Sequence, residues 1–231
     1  MSDVLSGIAI VPSPPVLVPE LAAGAAGELA EVRQAAVAAA ASLPPRWLAV
    51  GVGPGDEVIA PSRVGTFAGY GVDVPVRLSP QADEPPTALP LCALVTGWLR
   101  GQVDGETHAE VRVFADTHSA ESALAHGRRL RGELDATAGE VGVLIVADGA
   151  HTLTQSAPGG YDPASAPVQA ALDDALAGGD TAALAVLPDL VVGRVAYQVL
   201  AGLVGPGPRS VTELYRGAPF GVGYFVGRWQ P

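Results

Sequence analysis

The apolar positions fall into short runs that alternate with longer stretches of helical spacing. Val141 to Val146 is apolar on both faces and too short for an isolated helix, as a central strand of a covered parallel sheet would be. Gly7 to Val11, Trp47 to Val52 and Val111 to Ala115 read as further strands. They run into Pro12-Ser13-Pro14-Pro15, Gly53-Pro54-Gly55-Asp56 and Asp116-Thr117-His118. Between the first two runs, alanine-rich residues 20 to 43 carry Leu21, Leu29, Val32 and Val37 at helical spacing, and Pro44-Pro45 ends them, which gives a βαβ unit. Further helices are predicted over 89–99, from a Ser119 cap to about 137, and after Asp162-Pro163 or Ser165-Ala166-Pro167. The last of these carries Val168, Ala171, Leu172, Ala175 and Leu176 on one face. Asp180 caps a helical turn to Leu187, and apolar positions from Leu190 to Val204 again fall at helical spacing before Gly205-Pro206-Gly207-Pro208. Val211 to Tyr215 and Phe220 to Val226 read as paired strands, with Phe220, Val222, Tyr224 and Val226 on one face. Residues 60 to 90, rich in Pro and Gly, form an irregular excursion with an edge strand near 72–78, a segment able to cover a site.

Composition narrows what such a chain does. With 231 residues, 48% of them hydrophobic, it buries a full core as a single domain, 1–231. A formal net charge of −11 argues against nucleic acid and against an anionic membrane surface, since a polyanion is repelled from most directions of approach. Cys92 is the one cysteine, so no intrachain disulfide and no cysteine-based metal site is expected, which fits a reducing cytoplasm. The N-terminus lacks a basic segment, and Pro12, Pro14, Pro15 and Pro19 break its apolar stretch. Neither a signal peptide nor a membrane span is expected, and the expected location is cytoplasmic.

His151 stands just past the 141–146 run, at the end of a parallel strand where ligands bind in open α/β sheets. From position alone it reads as either a loop-anchoring group or an acid/base. The phrase around it, Ala147-Asp148-Gly149-Ala150-His151-Thr152-Leu153 continuing to Ala157-Pro158-Gly159-Gly160-Tyr161-Asp162-Pro163, resembles the "GDLSHxLTxxAPGGYDP" stretch of class III extradiol ring-cleavage dioxygenases of the subunit-B type and their Memo-like relatives. "IAIVPSPPVLVPEL" at the start resembles that family's "VPHPPLLVPEL", and "LYRGAPFGVGYFVG" at the end resembles its "YEGPFGVGYxVA". The resemblance implies an α/β three-layer sandwich with a central, mostly parallel sheet and a C-terminal hairpin. It also implies a cleft built from the loops at Ser13, at Gly53 to Asp56 and at His151, and, since relatives pair, a homodimer.

The same resemblance implies Fe(II) held by two histidines and a carboxylate, with a further histidine as acid/base. Here the matching positions hold Ser13, then Gly53-Pro54-Gly55, then Val191, Val192 and Gly193. None offers a comparable ligand, whereas His151 matches the acid/base histidine. The expectation is therefore a chain without iron and without another cofactor. It would bind a small aromatic or phenolic molecule, or a partner, in a cleft lined by Ser13, Gly53, Pro54, Gly55, Asp148, Thr152 and His151. Two alternatives stay open. One is an enzyme using His151 as acid/base without metal, or with a metal relocated among Asp116, His118, Asp148 and His151; the other is an active ring-cleaving dioxygenase. A Ser13 nucleophile lacks the G-x-S-x-G elbow, and no dinucleotide or Walker pattern opens a helix. Arg128, Arg129 and Arg131 read as a solvated face, His108 and His126 as surface residues, and Asp56 and Glu213 as similarly available but unremarkable.

Overall fold

The computed structural model describes residues 4–22, 24, 27–103 and 105–231. Four parallel strands form the centre of a seven-stranded sheet: β1 (Leu5–Val11), β2 (Arg46–Gly53), β6 (His108–Ala115) and β7 (Val141–Val146). All six residues of β7 are buried, which is why this run carries no polar alternation. The sheet order is β3-β6-β2-β7-β1-β9-β8. The short strand β3 (Glu57–Ile59) lies antiparallel at one edge, and the C-terminal hairpin β8 (Ser210–Gly217) and β9 (Tyr224–Gln230) lies at the other. Because β1, β2, β6 and β7 pair in parallel, the chain leaves all four at the same end of the sheet. That end collects the segments after Val11, Gly53, Ala115 and Val146.

Two apolar layers flank the sheet. On one face α1 (Ala30–Ala40) and α2 (Leu91–Gln102) pack with Ala9, Ala49, Val111 and Leu144. On the other, α3 (Ala120–Asp135), α4 (Ser165–Gly178), α5 (Thr181–Ala185) and α6 (Arg194–Val204) pack with Ile10, Val50, Val143 and Ile145. Two faces buried by helices make the three-layer sandwich. Glycines let α3 and α6 approach closely: a methyl group on Gly127 would lie 2.7 Å from the Leu203 amide nitrogen and against the Val199 carbonyl. No helix among the described residues is long and apolar enough to cross a membrane.

Several predicted boundaries shift, each for a local reason. The helix expected from Glu20 starts at Ala30, after two 3-10 turns whose first residues are Pro15 and Pro19; residues 23, 25 and 26 of that prediction lie outside the described part. The late helix starts at Arg194 rather than Leu190, because Val191 closes a turn on Pro188 and bridges to Ala150. Phe220 to Gly223 form a turn, not a strand, with Gly221 at φ 71°, so β9 begins at Tyr224. The excursion over 60–90 makes a two-stranded sheet of its own, β4 (Val64–Thr66) with β5 (Pro75–Arg77). It packs on α2, where Val76 lies 3.1 Å from the place a methyl group on Gly97 would take.

Candidate functional site

At the end of β1 the chain turns through Pro12-Ser13-Pro14. Proline supplies no amide donor on either side, so Ser13 contributes the one N–H of that tripeptide. Both of its donors go to one group: the Ser13 amide donates to Asp148 Oδ1 at 2.7 Å and the Ser13 hydroxyl to Asp148 Oδ2 at 2.9 Å. Asp148 is the second residue after β7, and β1 and β7 are neighbours in the sheet, so the two strand ends are bonded across their tips. Burial pushes the Asp148 carboxyl up to about 6, against the opposing pull of the two Ser13 bonds.

The backbone after β7 is held from three directions. Gly193 N–H donates to Asp148 O at 2.8 Å, and Tyr197 Oη, fully buried, donates to Ala147 O at 2.8 Å. Gly149 and Ala150 exchange bonds with Gly223, and the Ala150 N–H also donates to Gln169 Oε1 at 2.8 Å. Gln169 passes the chain on through Nε2 to Asp173, whose carboxyl burial also pushes up to about 6. Gly193 has to be small here, since a methyl group would lie 2.7 Å from the Asp148 carbonyl oxygen.

His151 is half-buried on the loop that follows. Residues 157–160 fold onto its ring. A methyl group on Gly159 would come within 2.6 Å of Nε2, and the Gly159 N–H donates to the His151 carbonyl. The Nδ1 atom is buried and, among the described residues, has no hydrogen-bond partner. Thr152 does not share this openness. Its hydroxyl bonds that of Ser165 in the first turn of α4, and its carbonyl accepts from Asp162 N–H, so it ties the loop to the helix. Exposed Tyr161 and Val192 flank the same loop, the first bridged to Leu153 and the second bonded to Gly149.

The Gly53-Pro54-Gly55 turn bonds toward the other neighbour, β6. Gly53 pairs with Ala115, and Asp116 N–H donates to Gly53 O at 3.1 Å. Pro54 and Gly55 are exposed. No family model matches the chain, and no curated protein matches it. A solved structure does: an uncharacterized protein, JW3007, from Escherichia coli K12. It is 11% identical, with a TM-score of 0.56 over 97% of this chain and 99% of that one. The likeness is one of fold.

The turn ends in Asp56, and there the geometry departs from the sequence reading. Asp56 Oδ1 accepts from Ala115 N–H at 2.8 Å and lies 2.7 Å from His118 Nε2. The Ala115 amide is the foremost cause of the lowered Asp56 pKa, and it prevails over desolvation. His118 Nδ1 is 3.1 Å from Ser122 Oγ, and the His118 ring lies 4.7 Å from that of His126 between centroids. His126, read from sequence as a surface residue, is half-buried against Phe114, because β6 ends under the first turns of α3. Of the residues weighed for a relocated metal, only His118 stands here. Asp116 is exposed and neighbours it in sequence, while Asp148 and His151 belong to the β7 end. His126 carried one signal in the sequence: it stands four residues after Ser122 on α3, and Ser122 four residues after His118, which just precedes the Ser119 cap.

Proposed function

We propose that this protein is a relative of the subunit-B-type extradiol dioxygenases in which the iron position has been given over to an internal bond, and that it binds a small aromatic or phenolic molecule beside His151. The observation that carries this reading is the pair of hydrogen bonds that the Ser13 amide and hydroxyl donate to the Asp148 carboxyl group. The residue standing where the family has its first histidine ligand already has its donors committed. The other two matching positions offer glycine and proline at 53–55 and no acid at 191–193. Fe(II) does not fit such a set, because a bonded serine and backbone carbonyls are poor substitutes for imidazole and carboxylate. The Nδ1 atom of His151 is buried without a hydrogen-bond partner among the described residues, and exposed Tyr161 and Val192 stand on segments bonded to the same loop.

Ligand-induced stabilisation tests the reading. Protocatechuate and related phenolic acids are expected to raise the melting temperature of the wild type and not that of His151→Ala. Anaerobic loading with Fe(II) is expected to give no ring cleavage of catechol or protocatechuate. Turnover with Fe(II) would overturn the proposal, and so would a ligand response unchanged in His151→Ala.

A further inference from the structure

We propose that Asp56, His118 and His126 form a binding site for a divalent transition-metal ion of the zinc class, at the end of β2 and β6. This goes beyond the function proposed for the His151 loop and does not depend on it. Each residue presents one ligand atom, and these atoms all lie within 4.8 Å of one another. A tetrahedral ion with bonds of about 2.0–2.2 Å asks for ligand separations of roughly 3.3–3.5 Å, so a modest rotation of side chains closes the set. Two imidazoles and a carboxylate suit Zn(II), Co(II) or Ni(II) in donor type, and three protein ligands leave a position open.

The surroundings prepare these groups. His118 keeps Nε2 toward Asp56 while Nδ1 faces Ser122 Oγ, so a metal on Nε2 would leave Nδ1–H to donate to that hydroxyl, as the outer partners of metal-bound histidines do. Arg194 holds the segment from below, donating to the carbonyl of His118 at 3.1 Å, and its own charge is met by Asp189 at 3.0 Å. The His118 side chain is 21% exposed and that of Asp56 49%, which gives an ion a route in from solvent. Beside the cluster lies a cleft of about 250 Å³ lined by Asp56, Phe114, His126, Arg129 and Glu133 among others. An ion's open position would face a space large enough for water or a small co-ligand. The same contacts also spell Ser122–His118–Asp56, a hydroxyl, an imidazole and a carboxylate in line. That relay gives His126 no task, whereas the metal site uses it.

The test is Co(II) titration of the chelator-stripped protein, followed by its visible ligand-field bands and by Zn(II) displacement. The expected result is one equivalent bound by the wild type, with Kd raised about tenfold or more in Asp56→Asn and in His126→Ala. Asp56 is exposed, so its variant reads the site even if His126→Ala folds poorly. His151→Ala is expected to bind Co(II) as the wild type does, which separates this result from the fate of the His151 proposal. Absence of one-equivalent binding, or equal binding by Asp56→Asn, would overturn the site. So would labelling of Ser122 by a fluorophosphonate without Co(II) binding, which would assign the cluster to the serine relay instead.

Discussion

Two clusters stand at the same end of one mostly parallel sheet, and they are built in opposite ways. At the β1 and β7 tips, Ser13 and Asp148 satisfy each other, glycines at 149, 159, 193 and 223 let backbone and side chains close in, and one imidazole nitrogen is left unpartnered. At the β2 and β6 tips, three groups of ligand chemistry face one another beside an open cleft. A strand end offers position only; whether it becomes a lock or a site depends on how many of its polar atoms are already bonded to the fold.

The largest expected effect comes from breaking the support of the second cluster. Gly127→Ala drives a methyl group into the α6 backbone, and overpacking of this kind is expected to cost about 3 kcal/mol, read by chemical denaturation. Because Gly127 follows His126 on α3, a folded variant should also lose Co(II) affinity while keeping any phenolic response at His151. Loss of both together would show that the two clusters are one unit.

Comparable in size is the pH dependence built into the first cluster. The Asp148 carboxyl holds its proton more tightly folded than unfolded, so its stabilising share is complete below the ordinary value of 3.8 and disappears as pH rises through about 6. That share is on the order of 3 kcal/mol. Asp173 titrates in the same direction, which makes the difference between wild type and variant the informative quantity. Asp148→Asn should flatten the fall in stability between about pH 4 and 6 and match or exceed wild-type stability above pH 7. A steeper fall would contradict the assignment.

Smaller effects sharpen the contrast. His151→Ala should change stability by less than about 1 kcal/mol, since its buried Nδ1 has no partner among the described residues to be orphaned by its removal. Asp56→Asn should also stay within about 1 kcal/mol, because the carboxylate is half exposed and its contact with His118 is screened by solvent. Thermal melts of both variants check this; a large loss at His151 would return that residue to a purely structural role.

The fold was largely readable in the sequence because strands buried on both faces, such as Val141 to Val146, leave an apolar run that nothing in a loop imitates. Element starts were harder. Proline 15 and proline 19 are compatible with a helix's first turn, and only the packed structure makes them 3-10 turns that delay α1 to Ala30. The region of the first cluster was legible through the family-like phrase around His151, but the Ser13 to Asp148 bond spans 135 residues, and no local pattern encodes it. The second cluster was missed for a related reason: Asp56 and His118 meet only because β2 and β6 are neighbours, and strand order is a property of the whole sheet.

The chain has four histidines, His108, His118, His126 and His151, so its imidazole nitrogen NMR spectrum reads both clusters at once. On this account protocatechuate shifts the resonances of His151 alone, and Zn(II) shifts those of His118 and His126 while His151 stays in place. Movement of His151 on addition of Zn(II) or Fe(II), or its silence toward phenolic ligands, would contradict the claim that the β1 and β7 end has exchanged a metal for a small molecule.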